Sequence, residues 1–276
     1  MRQRLVLVLA VVVFLAVLPG AAQLAPKNSA GVSAGHVHLT VQDPDKAKDL
    51  FVAIGGKATA KGRLQLVEFP GVFIAFRKAD PTGGSIGSVV NHIGFLVKNI
   101  QETAAKFKAA GGTVEPGTGP TQNWFMTPDG ARLEINERPS QAEPIVFDHI
   151  HFFSPDAKAG EEWYSKFFGA LDTGKNDPRF EEAKVPGVLL RFNKDKSQAG
   201  EATKGRAIDH IGFDVANLHE VCQRLQAAGI QLASPERNIP PTNLNIAFVV
   251  DPWGTNIEIT EHLTPEAGDA GSAGSH

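Results

Sequence analysis

Histidine and glutamate recur at matching places in two stretches of the sequence. His92 lies in the segment NHIGFLVKNI, and His210 lies in the similar segment DHIGFDVANL. Two further pairs recur in the same way, so that the three pairs are His36 and His149, His92 and His210, and Glu134 and Glu258. Imidazole and carboxylate together suit a divalent ion of the Fe(II), Mn(II), Ni(II) or Zn(II) class. Three such ligands also leave coordination positions open for water or substrate.

The sequence therefore predicts one metal triad in each half of the chain. The first triad is His36, His92 and Glu134, and the second is His149, His210 and Glu258. The separations are too long for a local ligand loop, so each ligand has to come from a different strand. A lone strand histidine is more often a core or rim residue whose hydrogen bonds are satisfied. Two matched triads favour metal binding over that reading, with Fe(II) or Mn(II) favoured and Zn(II) or Ni(II) as alternatives.

Two more histidines lie beside the predicted ligands. His38 and His151 each follow a predicted ligand by two positions. Residues i and i+2 of a strand share a face, so both histidines of each HxH pair point the same way. His38 and His151 are therefore candidates for a ligand, for a hydrogen-bonding support of the ligand, or for a catalytic proton carrier, since imidazole titrates near neutral pH. Ordinary packing is the alternative reading.

The repeat extends beyond these histidines. GHVHLTVQDPDKA resembles DHIHFFSPDAKA, and TPDGARLEINE resembles DPWGTNIEITE. We predict two versions of one domain, residues 35–137 and 148–263. The proline-containing segment 138–147 is predicted to be a linker, and the small, polar residues 264–276 are predicted to be a disordered tail.

Each half divides again into two units of one strand, one helix and several strands. HVHLTV alternates in hydrophobicity before a polar helix start, and NHIGFLV does the same. In the helix after NHIGFLV, apolar or small residues occur at i, i+3, i+4 and i+7, and Gly111 marks its end. Strands with turn signals such as PDG follow each helix. The unit recurs four times along the chain, in two pairs, and predicts an α+β fold.

The composition excludes several classes of protein. The 276 residues are 42% hydrophobic and carry a net charge of −3, without a basic stripe, so a nucleic-acid partner is not expected. The single cysteine excludes an intrachain disulfide and a thiolate-rich metal site. Cys222 falls on the apolar face of a predicted helix, where a small core residue is expected rather than a nucleophile.

The N-terminal residues have the pattern of an export signal. Two arginines in MRQR precede the uncharged run LVLVLAVVVFLAVL, and PGAAQ follows with small residues. We predict that residues 1–25 are a signal peptide or an N-terminal anchor and that the folded part works in the periplasm or is secreted. A membrane partner is expected only if this segment is uncleaved. The oligomeric state is not predicted.

The motifs HVHLTV, NHIGFLV, TPDGARLEI, DHIHFF, DHIGFDV and DPWGTNIEI resemble the vicinal-oxygen-chelate superfamily, which contains glyoxalases, bleomycin-resistance proteins and extradiol dioxygenases. The resemblance implies four βαβββ modules paired into two tandem vicinal-oxygen-chelate domains, with curled sheets that enclose a metal cavity. It also implies that the two triads are the metal ligands, with the first histidine of each HxH as the ligand.

The chain departs from two members of this superfamily. Glyoxalase I has a fourth, acidic ligand on the last strand of its first module, whereas the matching segments VFIAFRK and VLLRFNK contain no acid. Extradiol dioxygenases carry a histidine and a tyrosine before the last glutamate, and NLNIAFVVDPWGTNIE contains neither. The resemblance implies a metal-dependent dioxygenase or lyase acting on a small substrate with vicinal oxygens, and the N-terminal pattern implies that this enzyme is exported. A small-ligand binding protein of the bleomycin-resistance type is the alternative.

Overall fold

The computed structural model describes residues 24–266. The predicted export signal lies outside the described residues except for its last two positions, and most of the predicted tail lies outside them as well. Within residues 24–266, no helix has the length and apolar character needed to cross a membrane.

Four βαβββ modules follow one another along the chain. The first contains β1 (Val32–Val41), α1 (Pro44–Ala53), β2 (Lys57–Lys61), β3 (Leu64–Phe69) and β4 (Val72–Lys78). The second contains β5 (Val90–Val97), α2 (Ile100–Ala109), β6 (Thr113–Pro116), β7 (Gln122–Met126) and β8 (Arg132–Glu137). The third contains β9 (Ile145–Phe152), α3 (Ala157–Phe168), β10 (Leu171–Asp172), β11 (Phe180–Val185) and β12 (Val188–Asn193). The fourth contains β13 (Ile208–Val215), α4 (Leu218–Ala227), β14 (Ser234–Asn238), β15 (Asn245–Val250) and β16 (Asn256–Glu261). The predicted α+β fold class is confirmed.

The four helices begin at side-chain caps that the sequence repeats. Asp43, Asn99, Asp156 and Asn217 each accept a hydrogen bond from a backbone N–H three residues later. Such caps satisfy one of the backbone donors that the first turn of a helix leaves unpaired. The predicted apolar face of α2 is buried, and Cys222 of α4 is buried as well. Burial raises the pKa of the Cys222 thiol to about 12, in keeping with a core residue.

The strands form two eight-stranded sheets, and each sheet combines modules from both halves of the chain. The order of the first sheet is β14-β15-β16-β13-β1-β4-β3-β2, and the order of the second is β10-β11-β12-β9-β5-β8-β7-β6. The first module therefore pairs with the fourth through antiparallel β1 and β13, and the second pairs with the third through antiparallel β5 and β9. Alternating hydrophobicity specifies which face of a strand is buried, but it leaves open which of several similar strands becomes its neighbour.

The main core lies where the two sheets approach each other on their helix-bearing sides. The rings of Phe69 on β3 and Phe95 on β5 are 4.9 Å apart and join the two sheets. The rings of Phe168, at the end of α3, and Phe213 on β13 are 4.5 Å apart and pack this helix against the first sheet. On β1, Val37 points into this core, so His36 and His38 point to the opposite face. The histidine-bearing faces of the two sheets are thus directed away from the shared core.

Candidate metal centre

Two clusters of four side chains lie on the sheet faces that are directed away from the shared core, one cluster on each sheet. We call His36, His38, His210 and Glu258 the first tetrad, and His92, Glu134, His149 and His151 the second tetrad. In each tetrad one nitrogen or oxygen of every member lies within 4.8 Å of the others. All six predicted ligands and both additional histidines therefore lie in the two clusters.

The grouping of these residues differs from the sequence prediction, which assembled each triad within one half. His36 lies with His210 and Glu258, whereas His149 lies with His92 and Glu134. The predicted triads are wrong in this respect because the sheets pair the first module with the fourth and the second with the third. Each tetrad takes two residues from each half of the chain.

The two tetrads share the same internal geometry. In the first, Nε2 of His36 and Nε2 of His210 lie 3.0 and 2.9 Å from the same Oε2 of Glu258. In the second, Nε2 of His92 and Nε2 of His149 lie 3.1 and 3.2 Å from Oε2 of Glu134. Two imidazole nitrogens and a carboxylate oxygen that converge in this way form a donor set for a divalent ion.

The second histidine of each HxH pair completes the cluster. The ring of His38 lies 4.5 Å from the ring of His210, and the ring of His151 lies 4.6 Å from the ring of His92. Neither nitrogen of His38 or of His151 has a hydrogen-bond partner among the described residues. Burial lowers the pKa of both imidazoles well below the usual value, so both are neutral at pH 7. Neutral, unpartnered imidazoles fit a role as ligand or proton acceptor better than ordinary packing.

Three polar side chains contact the imidazoles of the tetrads at Nδ1, the ring nitrogen that does not face the glutamate. The sequence alone did not lead to these three residues. The Nδ1 atoms of His210, His149 and His92 lie 2.6, 2.8 and 3.0 Å from an oxygen of the preceding residue. These preceding residues are Asp209, Asp148 and Asn91. A metal-ligating histidine usually donates its other ring N–H to such an oxygen, which fixes the ring and leaves Nε2 for the ion. The signal in the sequence was the recurring Asp or Asn directly before the histidine.

A glycine in the neighbouring strand makes room for one imidazole in each tetrad. Gly94 is paired with His149, and Gly212 is paired with His36. A Cβ on Gly94 would lie 2.1 Å from the ring of His149, and a Cβ on Gly212 would lie 2.2 Å from the ring of His36. The repeated sequence HIGF thus supplies a histidine ligand of one strand and the space for a histidine of the adjacent strand.

The carboxylates of the tetrads are held in their charged form. Burial by itself would raise the pKa of Glu134 and of Glu258, but hydrogen bonding to the neighbouring imidazoles outweighs it, and both pKa values fall well below the usual range. Burial lowers the pKa of His92 to about 4, against the opposing effect of Glu134. Each carboxylate is therefore available as a charged ligand at neutral pH.

The surroundings of the two tetrads differ. All four side chains of the first tetrad are buried, whereas Glu134 and His151 of the second are partly exposed. Apolar side chains form a separate cluster on the sheet face that carries the first tetrad, and its buried members are Leu24, Leu66, Phe73, Ala75, Leu244, Ile246 and Leu263. Because Leu24 and Leu263 lie at the two ends of the described chain, both ends help to cover this face.

The second tetrad faces a cavity of about 1050 Å³. Aromatic rings of Trp124, Phe153 and Phe180 line it together with six lysine and arginine side chains and four aspartate and glutamate side chains. Two side-chain amides, from Gln122 and Asn136, donate to the remaining oxygen of Glu134 at 2.5 and 3.0 Å. The second tetrad thus combines a fixed donor set with access for a small molecule.

Residues 146–259 match the family model described as the glyoxalase/bleomycin resistance protein/dioxygenase superfamily. The matched residues comprise nearly all of the third and fourth modules, and this part of the chain is thereby assigned to the superfamily. Two curated members are similar to the chain in sequence. It is 24% identical over 186 residues to a probable chloroplastic lactoylglutathione lyase of Arabidopsis thaliana, covering 61% of this chain and 52% of the relative. It is 25% identical over 122 residues to a 4-hydroxyphenylpyruvate dioxygenase of Tetrahymena thermophila, covering 38% of this chain and 30% of the relative.

Solved structures of superfamily members show the same fold. Glyoxalase I from Zea mays superposes with a TM-score of 0.65 at 18% identity, covering 83% of this chain and 92% of that one. A putative dioxygenase from Bacillus subtilis superposes with a TM-score of 0.65 at 15% identity, covering 89% of this chain and 87% of that one. The aligned part of this chain spans about half the length of the first curated relative, and at these identities the structural likeness concerns the fold alone.

Proposed function

We propose that this protein is a metal-dependent enzyme whose turnover takes place at the second tetrad. The proposal rests on the access that a small molecule has to each tetrad. The second tetrad opens on a cavity of about 1050 Å³, whereas all four side chains of the first are buried. An open donor set is typical of a catalytic ion, and a closed set of protein ligands is typical of a structural one. The first tetrad is accordingly assigned an ion that holds the first and fourth modules together.

The substrate that fits this site is a small molecule with two adjacent oxygens. A divalent ion at the second tetrad would supply Lewis-acid polarisation of such a chelating substrate, or activation of oxygen in the case of Fe(II). The relatives named as a lyase and a dioxygenase support both reaction types. Of the two reaction types we favour a dioxygenase acting on a catechol-like substrate, because two imidazoles and one carboxylate are the donor set that would suit Fe(II) oxygen chemistry.

The protein's own residues position and exchange protons around that substrate. Arg191 lies 2.8 Å from Nδ1 of His149 and 3.3 Å from the carboxylate of Asp148, so this imidazole is held at the ring nitrogen opposite the one that faces Glu134. His151 lines the cavity and has both ring nitrogens free of partners within the described residues. We assign to His151 the role of proton carrier. His38, the matching residue, lies in the buried first tetrad and completes its donor set.

Metal analysis and oxygen uptake test this proposal together. Purified without a metal-affinity tag, the protein is expected to hold up to two divalent ions per chain, and Glu134→Gln and Glu258→Gln are each expected to lose one. Fe(II)-loaded protein should consume oxygen with one or more of a panel of catechols, and Glu134→Gln should abolish that uptake. His151→Ala should slow uptake while keeping the ion.

The outcomes separate the alternatives. Metal content that is unchanged in both glutamate variants would show that the tetrads are not metal sites and would favour a ligand-binding protein of the bleomycin-resistance type. No oxygen uptake by the metal-loaded protein with any catechol would reject the dioxygenase and leave a lyase. Uptake that persists unaltered in His151→Ala would remove the proton-carrier assignment.

We also propose that the protein acts in the periplasm or is secreted. The support is the order of arginines, apolar run and small residues within positions 1–25. N-terminal sequencing of native protein should find a start near residue 23 in an exported fraction. Intact Met1 in a cytosolic fraction would contradict the proposal.

A further inference from the structure

A guanidinium group is held in a fixed position beside the second tetrad. Cζ of Arg132 lies 3.6 Å from the centre of the Trp124 ring, a cation–π contact. Arg132 precedes Glu134 by two positions on β8, so both side chains lie on the same face of the strand. The backbone N–H of Arg132 donates to Oγ of the fully buried Ser85 at 2.9 Å, which anchors the start of the strand.

This guanidinium forms no ion pair with any residue that the structure describes, unlike several cations around it. Arg179, Lys194 and Arg191 line the same cavity, and each forms an ion pair with a nearby carboxylate. The partners are Asp177 at 2.9 Å, Glu181 at 3.0 Å and Glu182 at 2.8 Å, respectively. Within residues 24–266, Arg132 forms no ion pair, although Glu115 and Glu134 attract it from further away. Partial burial of an unpaired cation costs free energy, which an incoming anion would recover.

The first tetrad provides an internal comparison, because the strands that carry the two glutamates have the same register. Trp124 is opposite Glu134 and Phe248 is opposite Glu258. By the same register, Arg132 corresponds to Asn256. The donor sets of the two tetrads match, whereas this strand position carries arginine beside the tetrad that opens on the cavity and asparagine beside the buried one. Arg132 therefore serves ligand binding in the cavity rather than metal coordination.

We propose that Arg132 binds a carboxylate of the substrate at the second tetrad. The inference rests on the proposed function and adds the substrate class: an organic acid whose carboxylate lies at Arg132 and whose apolar body contacts Phe153 and Phe180. The planar guanidinium fork matches a carboxylate in two parallel hydrogen bonds. The cavity favours an anion as a whole, since six lysine and arginine side chains face four acidic ones, one of which is the ligand Glu134.

The first experiment tests Arg132 without any chelating substrate. Benzoate and benzamide are titrated calorimetrically into the full-length wild type, Arg132→Gln, Arg132→Lys and Arg138→Gln. Arg138 is an exposed cation lining the same cavity and serves as the matched control. The wild type and Arg138→Gln should bind benzoate about tenfold more tightly than benzamide. Arg132→Gln should lose this preference, and Arg132→Lys should keep part of it. An unchanged preference in Arg132→Gln, or none in the wild type, would overturn the proposal.

The second experiment separates this proposal from the proposed function. Metal-loaded wild type and Arg132→Gln are titrated with a catechol that carries a ring carboxylate and with the same catechol carrying a carboxamide. The wild type should favour the acid about tenfold, and the variant should bind both equally. Equal binding of both catechols by the wild type would overturn the carboxylate inference while leaving the metal-chelating function intact. If neither catechol binds while benzoate binding still depends on Arg132, the proposed metal-chelating substrate is contradicted and the carboxylate site remains. Phosphate that binds as tightly as benzoate would replace the carboxylate by a different anion and so contradict the proposal.

Discussion

At the scale of single residues, the position of one imidazole in each tetrad depends on a glycine in the neighbouring strand. Gly94 and Gly212 lie beside His149 and His36, respectively, and a Cβ at either glycine would overlap the imidazole. Interiors are close-packed, so the overlap could be relieved only by moving the ring or the strand. The glycine of the HIGF motif therefore acts on the ligand of a neighbouring strand rather than on its own.

We predict that Gly94→Ala lowers the metal affinity of the second tetrad by about tenfold or more, because the added methyl group displaces His149. Loss of a residue that hydrogen-bonds a metal ligand has an effect of this size. Gly212→Ala should do the same to the first tetrad through His36. Each variant is the control for the other, and metal titration of both measures the effect. Unchanged affinity at both sites would show that these imidazoles are not ligands.

At the scale of elements, the pairing of β1 with β13 and of β5 with β9 decides which residues form a site. Each half of the chain supplies two members of each tetrad. The helices lie on the side where the sheets pack together, and their caps and apolar faces are specified locally. Strand neighbours depend instead on contacts between residues far apart in the sequence.

Double variants should distinguish the observed pairing from an assembly within each half. We predict that His36→Ala with Glu258→Ala removes one ion per chain, because both residues serve the first tetrad. His36→Ala with Glu134→Ala should remove two, since the residues serve different tetrads and act independently. The measurement is elemental analysis of the folded full-length variants. The opposite result, two ions lost in the former and one in the latter, would support triads built within each half.

At the scale of the whole molecule, the same donor set occupies two different environments. Both ends of the described chain contribute to the apolar cluster on the face of the first tetrad, and a cavity lies in front of the second. An ion behind packed side chains leaves only when the structure opens, while an ion at a cavity exchanges through solvent.

Metal removal is therefore expected to occur in two phases. A chelator should take one ion quickly from the second tetrad and the other slowly from the first. Glu134→Gln should lack the fast phase, and Glu258→Gln should lack the slow phase. Release of both ions at a single rate in the wild type would contradict the difference in access.

The metal-free protein should be most stable near pH 6.5. Burial lowers the pKa values of His38, His92 and His151, so the folded state loses stability through these imidazoles as pH falls below 6.5. The pKa values of Glu134 and Glu258 are lowered on folding, so their stabilisation is present above the ordinary value of 4.5 and is lost as pH falls below it. Burial opposes protonation of His149 and His210, but nearby carboxylates raise their pKa values, so their stabilisation is present below 6.5 and is lost as pH rises through the raised value. Thermal unfolding across pH in a chelator measures this, and a curve unaffected by combining Glu134→Gln with Glu258→Gln would contradict it.

The sequence alone predicted the four modules and the histidine and glutamate residues that cluster in the structure. Those features are local: alternation fixes the face of a strand, a capping residue fixes the start of a helix, and the repeat marks His36 and His149 as equivalent. The tertiary structure decided which donors meet, since similar strands compete for the same neighbours and the packing between sheets selects among them. It also decided which tetrad opens on a cavity, because that depends on side chains such as Leu66 beside the first tetrad and Phe180 beside the second, which are brought there from other parts of the chain.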